Sequence, residues 1–227
     1  MSNFPNTKKD GTTDIHLCWA AVASNALAAS GYAQTAGFVD DDESKAEDKV
    51  FAYFKEHFPD EGGSIYLGVK WFLSGKFQIR AKEDPLYARP IQSGGGFFKD
   101  LSLRNRIRLM PPTALRFCEE HLASGKGACA FNVGIYNSTL TDIVGTHALS
   151  LYHTGHATDT YRAYEFNDPR HFNYVVYCDP DTPNEAPESR TVFYHPSART
   201  YRFRDRPWEI QKILFLDKLD SPVPDSD

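Results

Sequence analysis

The stretch Asp14-Ile15-His16-Leu17-Cys18-Trp19-Ala20-Ala21-Val22-Ala23-Ser24-Asn25-Ala26-Leu27 constrains this chain more than any other. One cysteine is followed by one large aromatic and then by a run of small, helix-favouring residues. Alanine is the strongest helix former, and a helix that carries it on every face has room to lie close to its neighbours. The run predicts a tightly packed helix from about Asp14 or Cys18 to about Ala29, with Gly31 as its stop signal. Cys18 then stands at or near the first turn. There the unpaired N–H groups and the positive end of the helix dipole favour a thiolate. A buried structural cysteine in a core helix is the competing expectation.

The remaining first half reads as helices. Ala46, Val50, Phe51 and Phe54 mark one over Ser44 to Phe58. Ile65, Val69, Phe72 and Leu73 mark another over Ser64 to Ser74, closed by Gly75. Lys76 to Ala81 alternates like a short strand. Lys82 to Phe98 holds Pro85, Pro90 and Gly94-Gly95-Gly96, the composition of a substrate-facing loop. Pro112 to Ser124 is a helix, with Pro at its start, Gly125 after its end and Cys118 on its apolar stripe.

From Gly127 the texture turns to strands: Gly127–Tyr136, Ile143–His153, Tyr161–Phe166, Tyr174–Asp179, Thr191–His195, Thr200–Arg204 and Ile210–Lys218. The expected class is α+β in one domain over 1–227. A helical half covers about 1–125, a mostly antiparallel sheet half about 126–220, and 221–227 form a tail. A cleft is expected between the halves.

The net charge of −5 argues against nucleic acid as the main partner. No apolar run reaches the roughly 20 residues that span a bilayer, so no membrane partner is expected. Met1 to Asp14 is polar, without the apolar core of a signal peptide. The four cysteines, Cys18, Cys118, Cys129 and Cys178, have no C-x-x-C spacing and read as reduced thiols.

Two later strands carry chemistry. Val144-Gly145-Thr146-His147-Ala148-Leu149-Ser150-Leu151 is apolar with one histidine. Tyr174-Val175-Val176-Tyr177-Cys178-Asp179-Pro180-Asp181 is apolar and ends in two acids. Cys18 as nucleophile, His147 as base and Asp179 or Asp181 as the group that orients the imidazole make a cysteine-protease constellation in chain order. The bland alternatives are a buried histidine bonded to backbone and an Asp-Pro turn. His16 lies two residues from Cys18, a spacing that does not face it on a helix. His153, His156 and Asp159 form a weaker metal-ligand pattern. Arg104-x-Arg106-x-Arg108 reads as a solvated basic face.

At these residues the chain resembles the Mac/IdeS family of bacterial cysteine proteases, the immunoglobulin-degrading enzymes of streptococci. Leu17-Cys18-x-Ala20-Ala21-x-Ala23-x-Asn25-x-Leu27 is similar to the family's nucleophile helix. Phe51-x-Tyr53-Phe54-Lys55-Glu56, Leu67-Gly68-Val69, Gly95-Gly96-Phe97-Phe98, Gly125-Lys126, His147-x-x-x-Leu151 and Asp179-x-Asp181 follow in order. The resemblance covers most of the chain. It implies a papain-like fold, Cys18 as nucleophile, His147 as base, Asp179 as orienting acid and Asp181 as a second supporting carboxylate. It further implies a lysine about ten residues before the cysteine as oxyanion donor, Lys8, with Lys9 as the alternative. No cofactor is implied.

This chain is shorter than the streptococcal enzymes, chiefly between Cys18 and His147, and has extra cysteines. The expected function is therefore a cysteine endopeptidase, secreted or translocated into a host cell. Its substrate would be a specific protein, an immunoglobulin or a host cytosolic target. The same triad would also serve an acyltransferase, a transglutaminase-like enzyme or a deamidase, and the fold alone would serve a binding module.

Overall fold

The structure is a computed structural model that describes residues 5–7, 9–75, 94–103, 106–156, 172–182, 186–195 and 197–219. Five α-helices come first in the main: α1 (Cys18–Ala29), α2 (Tyr32–Thr35), α3 (Ala46–His57), α4 (Ile65–Ser74) and α5 (Leu115–Ala123). Seven strands are described: β1 (Ile107–Met110), β2 (Gly127–Tyr136), β3 (Ile143–His156), β4 (Phe172–Cys178), β5 (Glu188–His195), β6 (Thr200–Phe203) and β7 (Trp208–Asp217). Among the described residues no helix is long and apolar enough to cross a membrane.

The strands run in the order β1-β7-β2-β3-β4-β5-β6, all antiparallel, and β6 pairs again with β7 through Arg202 and Glu209. That last pairing closes β2 to β7 into a barrel and removes the open edges a flat sheet would leave. The expected mixture of helix and antiparallel sheet is present, and the closure is additional. Strand β1 lies in the half expected to be mostly helical, where Arg104-x-Arg106-x-Arg108 read as a solvated basic face. It adds to β7 as an outer strand, with Arg108 on Asp217 at 2.7 Å. The expected strands at Lys76–Ala81 and Tyr161–Phe166 lie outside the described residues.

Strand periodicity divides the core in two. One parity of β2 and β3, with Phe131, Val133, Leu149 and Leu151, joins Val175, Tyr177, Val192, Ile210 and Ile213 inside the barrel, and Leu115 and Cys118 of α5 pack with them. The other parity, Ala128, Ala130 and Ala148, packs with α1, α3 and α4. The helix-facing stripe of the barrel is thus alanine, and so is much of α1. Small residues on both sides let helix and sheet approach closely.

Trp19 fixes the other flank of α1. It meets Phe54 and Phe58 edge-on at 5.6 and 5.3 Å, and its Nε1 donates to the Glu61 carbonyl at 3.0 Å. A Cβ at Gly63 would stand 2.4 Å from the indole, so the loop before α4 lies flat on the ring only as glycine. The segment Gly94-Gly95-Gly96, expected to face substrate, instead wraps the end of α4: the Gly96 N–H donates to the Trp71 and Phe72 carbonyls at 3.1 and 2.9 Å. The Phe72 carbonyl is one that the helix end leaves unpaired, and the Trp71 carbonyl also accepts the Gly75 N–H at 2.8 Å. The rest of that loop, residues 76–93, lies outside the described residues.

The approach to α1 is pinned as well. The Thr7 N–H donates to Asn25 Oδ1 at 2.7 Å, Asn25 Nδ2 donates to Ser150 Oγ at 3.0 Å, and the Lys9 N–H donates to the Pro180 carbonyl at 3.1 Å. Trp19→Ala removes the side chain that α3 and the Glu61–Gly63 loop share. It is expected to cost about 3–5 kcal/mol of stability, read as a lowered urea midpoint. A loss below about 1 kcal/mol would show that the indole is not a core anchor.

Candidate active site

Helix α1 begins at Cys18. Its N-cap position is Leu17, and no side chain caps it. The Ala20 and Ala21 N–H groups donate to the Leu17 carbonyl at 2.9 and 3.1 Å, and the helix geometry leaves those of Cys18 and Trp19 without intrahelical partners. Preceding them, the Leu17 N–H donates to the Asp14 carbonyl at 3.1 Å. The buried Asp14 carboxylate receives the N–H groups of Asp10 and Gly11, both at 3.1 Å, and Lys55 Nζ at 3.2 Å. A buried carboxylate with three donors is fully employed, and it holds the chain rigid just before the cysteine.

Strand β3 delivers His147 to the same place. Strand β4 ends at Cys178, opposite Ser150, and the turn that follows it, closed by the Thr182 N–H on the Asp179 carbonyl at 3.2 Å, carries both acids. His147 Nε2 and Asp179 Oδ1 are 2.7 Å apart, and both side chains are buried. With Nε2 so engaged, Nδ1 is the nitrogen left for other partners, and Cys18, on the wall of the same cleft, acts on this imidazole. Cys18 is half-buried, whereas Cys118, Cys129 and Cys178 are buried. All four thiols are free.

A cleft of about 430 Å³ opens on these groups. Its walls include Ile15, His16, Cys18 and Trp19 from the helical side, Gly62 and Gly63 from the loop, and Gly145, Thr146 and Trp208 from the barrel. His16 is exposed, and its N–H donates to Asp60 Oδ1 at 2.6 Å. The ring of Trp208 lies 6.0 Å from that of His147. Trp208 was not singled out by the sequence. A single tryptophan after Arg206-Pro207 carries no periodic signal, and only the Ile135↔Trp208 pairing of β2 with β7 brings it here.

Burial alone would lower the pKa of His147. The hydrogen bonds to Asp179 and Cys18, with their charges, outweigh it and raise the value to about 10. Burial works on Asp179 in the opposite sense and is likewise outweighed. The imidazole, the Asp181 N–H at 2.9 Å and the charge of Arg206 hold this carboxyl below its ordinary value. The resting arrangement is a buried imidazolium–carboxylate pair beside Cys18.

The second acid has a different job. Asp181 is half-exposed. Its Oδ1 lies 2.6 Å from Lys9 Nζ, and its Oδ2 lies 3.9 Å from His147 Nδ1. Lys9 is buried and also donates to the Ile15 carbonyl. It therefore clamps the approach to α1 onto the turn after β4. Lys8 lies outside the described residues.

His147, Asp179 and Asp181 offer donor atoms within 4.8 Å of one another. Two ligands of one tetrahedral zinc would stand about 3.3 Å apart. The 2.7 Å between Nε2 and Oδ1 is instead a hydrogen-bond length. In the weaker pattern, His153 Nε2 lies 2.7 Å from the Tyr174 hydroxyl, while Asp159 and the His156 side chain lie outside the described residues. Arg106 Nη1 donates to the Lys218 carbonyl at 3.3 Å, and Arg104 lies outside the described residues.

No protein-family model, no curated protein and no solved structure matches this chain.

The raised imidazole stabilises the fold fully below its ordinary value of 6.5 and loses that contribution as pH rises toward about 10. The depressed Asp179 contributes above its ordinary 3.8 and is lost as pH falls through its folded value. Wild type is therefore expected to exceed His147→Gln in stability most between 3.8 and 6.5. The gap should narrow toward about pH 10, measured as urea unfolding free energy against pH. A gap independent of pH would contradict the ion pair.

Proposed function

We propose that this chain is a papain-like cysteine endopeptidase of the Mac/IdeS type. The observation that carries the reading is the imidazole of His147, bonded through one nitrogen to buried Asp179 and sharing one cleft with Cys18 at the uncapped start of α1. A structural cysteine requires none of these neighbours.

In this reading the Cys18 sulfur attacks a peptide carbonyl carbon in the cleft, with the thiol proton already on His147 Nδ1. Negative charge builds on the carbonyl oxygen. The first-turn N–H of Cys18 is one donor for it, and the resemblance supplies Lys8 as a second. Imidazolium His147 then gives its proton to the leaving nitrogen as the C–N bond breaks, which leaves a thioester on Cys18. Water next attacks the thioester, His147 accepts a proton from it, and the carboxylic acid departs. Asp179 holds Nε2–H throughout and so keeps the ring aimed. The raised pKa of the imidazole suits a resting imidazolium that acts first as an acid.

The substrate is a specific protein, an immunoglobulin or a host cytosolic target. The enzyme would be secreted or translocated to reach it.

The test is to incubate wild type, Cys18→Ala and His147→Ala with purified immunoglobulin G and with a native cytosolic extract. New protein N-termini are then identified by mass spectrometry. Wild type is expected to create a small set of new N-termini that both variants lack. Termini that persist with Cys18→Ala, or none at all, would overturn endopeptidase activity. A mass change without a new terminus would move the reaction to acyl transfer or deamidation.

A further inference from the structure

The cleft continues past Trp208. On the far side of that indole lies a second groove of about 330 Å³, whose walls include Tyr136, Leu140, Phe193, Arg202, Arg204 and Trp208. Trp208 is common to both spaces. One side of its surroundings is the His147 ring at 6.0 Å, and another is the Arg206 guanidinium, 4.7 Å from the indole centroid. An extended polypeptide with its scissile bond at Cys18 thus meets this groove within a few residues.

The groove has a definite chemistry. Arg202 stands 5.3 Å over the Tyr136 ring and bonds Glu209 at 2.8 Å. Arg206 bonds Glu188 at 2.7 Å, and Arg190 engages both Glu188 at 2.7 Å and Asp205 at 3.1 Å. Three acids are thereby matched to three arginines. Arg204 is the fourth: it is exposed and has no ion-pair partner among the described residues. On a chain of net charge −5, the groove beside the cleft carries an unmatched cation.

The groove has apolar lining as well, in Leu140, Phe193, Phe203 and Trp208. Leu140 is exposed with φ +57°, a conformation unusual for a leucine. The turn that holds it there is built: Asn137 Oδ1 accepts the Thr141 N–H at 3.0 Å and the Thr139 hydroxyl at 3.0 Å. Ile143 and Val144, both exposed, follow this turn at the start of β3.

Resting on the proteolytic reading, we infer that this groove is a substrate subsite. It selects a peptide segment in which an Asp or Glu stands beside an aliphatic residue, a few positions from the scissile bond. The carboxylate pairs with Arg204, whose guanidinium needs no acid of the protein displaced to receive it. The aliphatic side chain lies on Leu140, Phe193 and the Trp208 indole.

The experiment presents full-length Cys18→Ala protein to a displayed library of random-sequence peptides and sequences those retained. Enriched peptides are expected to share an acid next to Leu, Ile or Val. Adding Arg204→Glu should weaken their binding by at least about fivefold, and Arg204→Lys should weaken it far less. Arg204 is exposed, so an unchanged urea midpoint verifies that Arg204→Glu folds.

No enrichment over the bare support, enrichment without an acid, or binding indifferent to Arg204→Glu would each overturn the subsite. The enriched peptides are then offered to wild type. If they bind through Arg204 but stay uncut, the acid-selecting groove stands and the proteolytic reading falls. If peptides without an acid are cut equally well, proteolysis stands and the subsite falls.

Discussion

The structure depends on how closely one helix lies against one face of a barrel. Helix α1 and the strands beneath it meet through alanine on both sides, with Ala20, Ala21 and Ala23 in the same cluster as Ala128, Ala130 and Ala148. Small side chains at these positions let the two layers approach closely. That spacing sets where the start of α1 falls relative to β3. Cys18 opens the helix one residue before Trp19, and Trp19 is held by Phe54, Phe58 and the Glu61 carbonyl. The thiol is therefore anchored from two directions. The imidazole it partners comes from a strand whose register is fixed on both edges, by β2 and by β4.

Electrostatics then give that meeting point its character. A buried ion pair adds little net stability over an apolar pair of the same shape, because both charges must be desolvated. His147 and Asp179 are therefore better explained by what they prepare than by what they hold together. The charge pattern around them is layered. Asp179 takes Nε2 of the imidazole, the Asp181 N–H supports the same Asp179 oxygen, and Lys9 neutralises the Asp181 carboxylate. Sites built this way keep their reacting groups aimed without further reorganisation.

Much of this was legible in the sequence because it is local. The α3 and α4 helices show in the spacing of Val50, Phe51 and Phe54 and of Val69, Phe72 and Leu73, and Gly75 ends α4 in the left-handed conformation it permits. The strands from Gly127 onward show in their alternation, to within a few residues. What the sequence hid is long-range. Closure of the barrel rests on one pairing, Arg202 with Glu209, which neither strand advertises. Strand β1 is short and carries Arg108, so it read as a charged face. Among candidate site residues, Cys18 and Asp179 stood out at the ends of apolar runs and His147 as the one histidine within one, and the structure lines a single cleft with all three. Asp181 was a candidate as supporting carboxylate and Lys9 as the alternative oxyanion donor. That they pair with each other follows from the turn after β4 crossing the approach to α1. Trp208 had no sequence signal at all.

The most direct test of the account is whether Cys18 reacts as part of one unit with His147. Intact folded protein at about pH 6 would be treated with a limiting dose of iodoacetamide and its adducts located by mass spectrometry. The account predicts a single adduct on Cys18, and labelling slowed severely in His147→Gln. Slow labelling spread over all four cysteines, or labelling of Cys18 that is indifferent to His147, would contradict it.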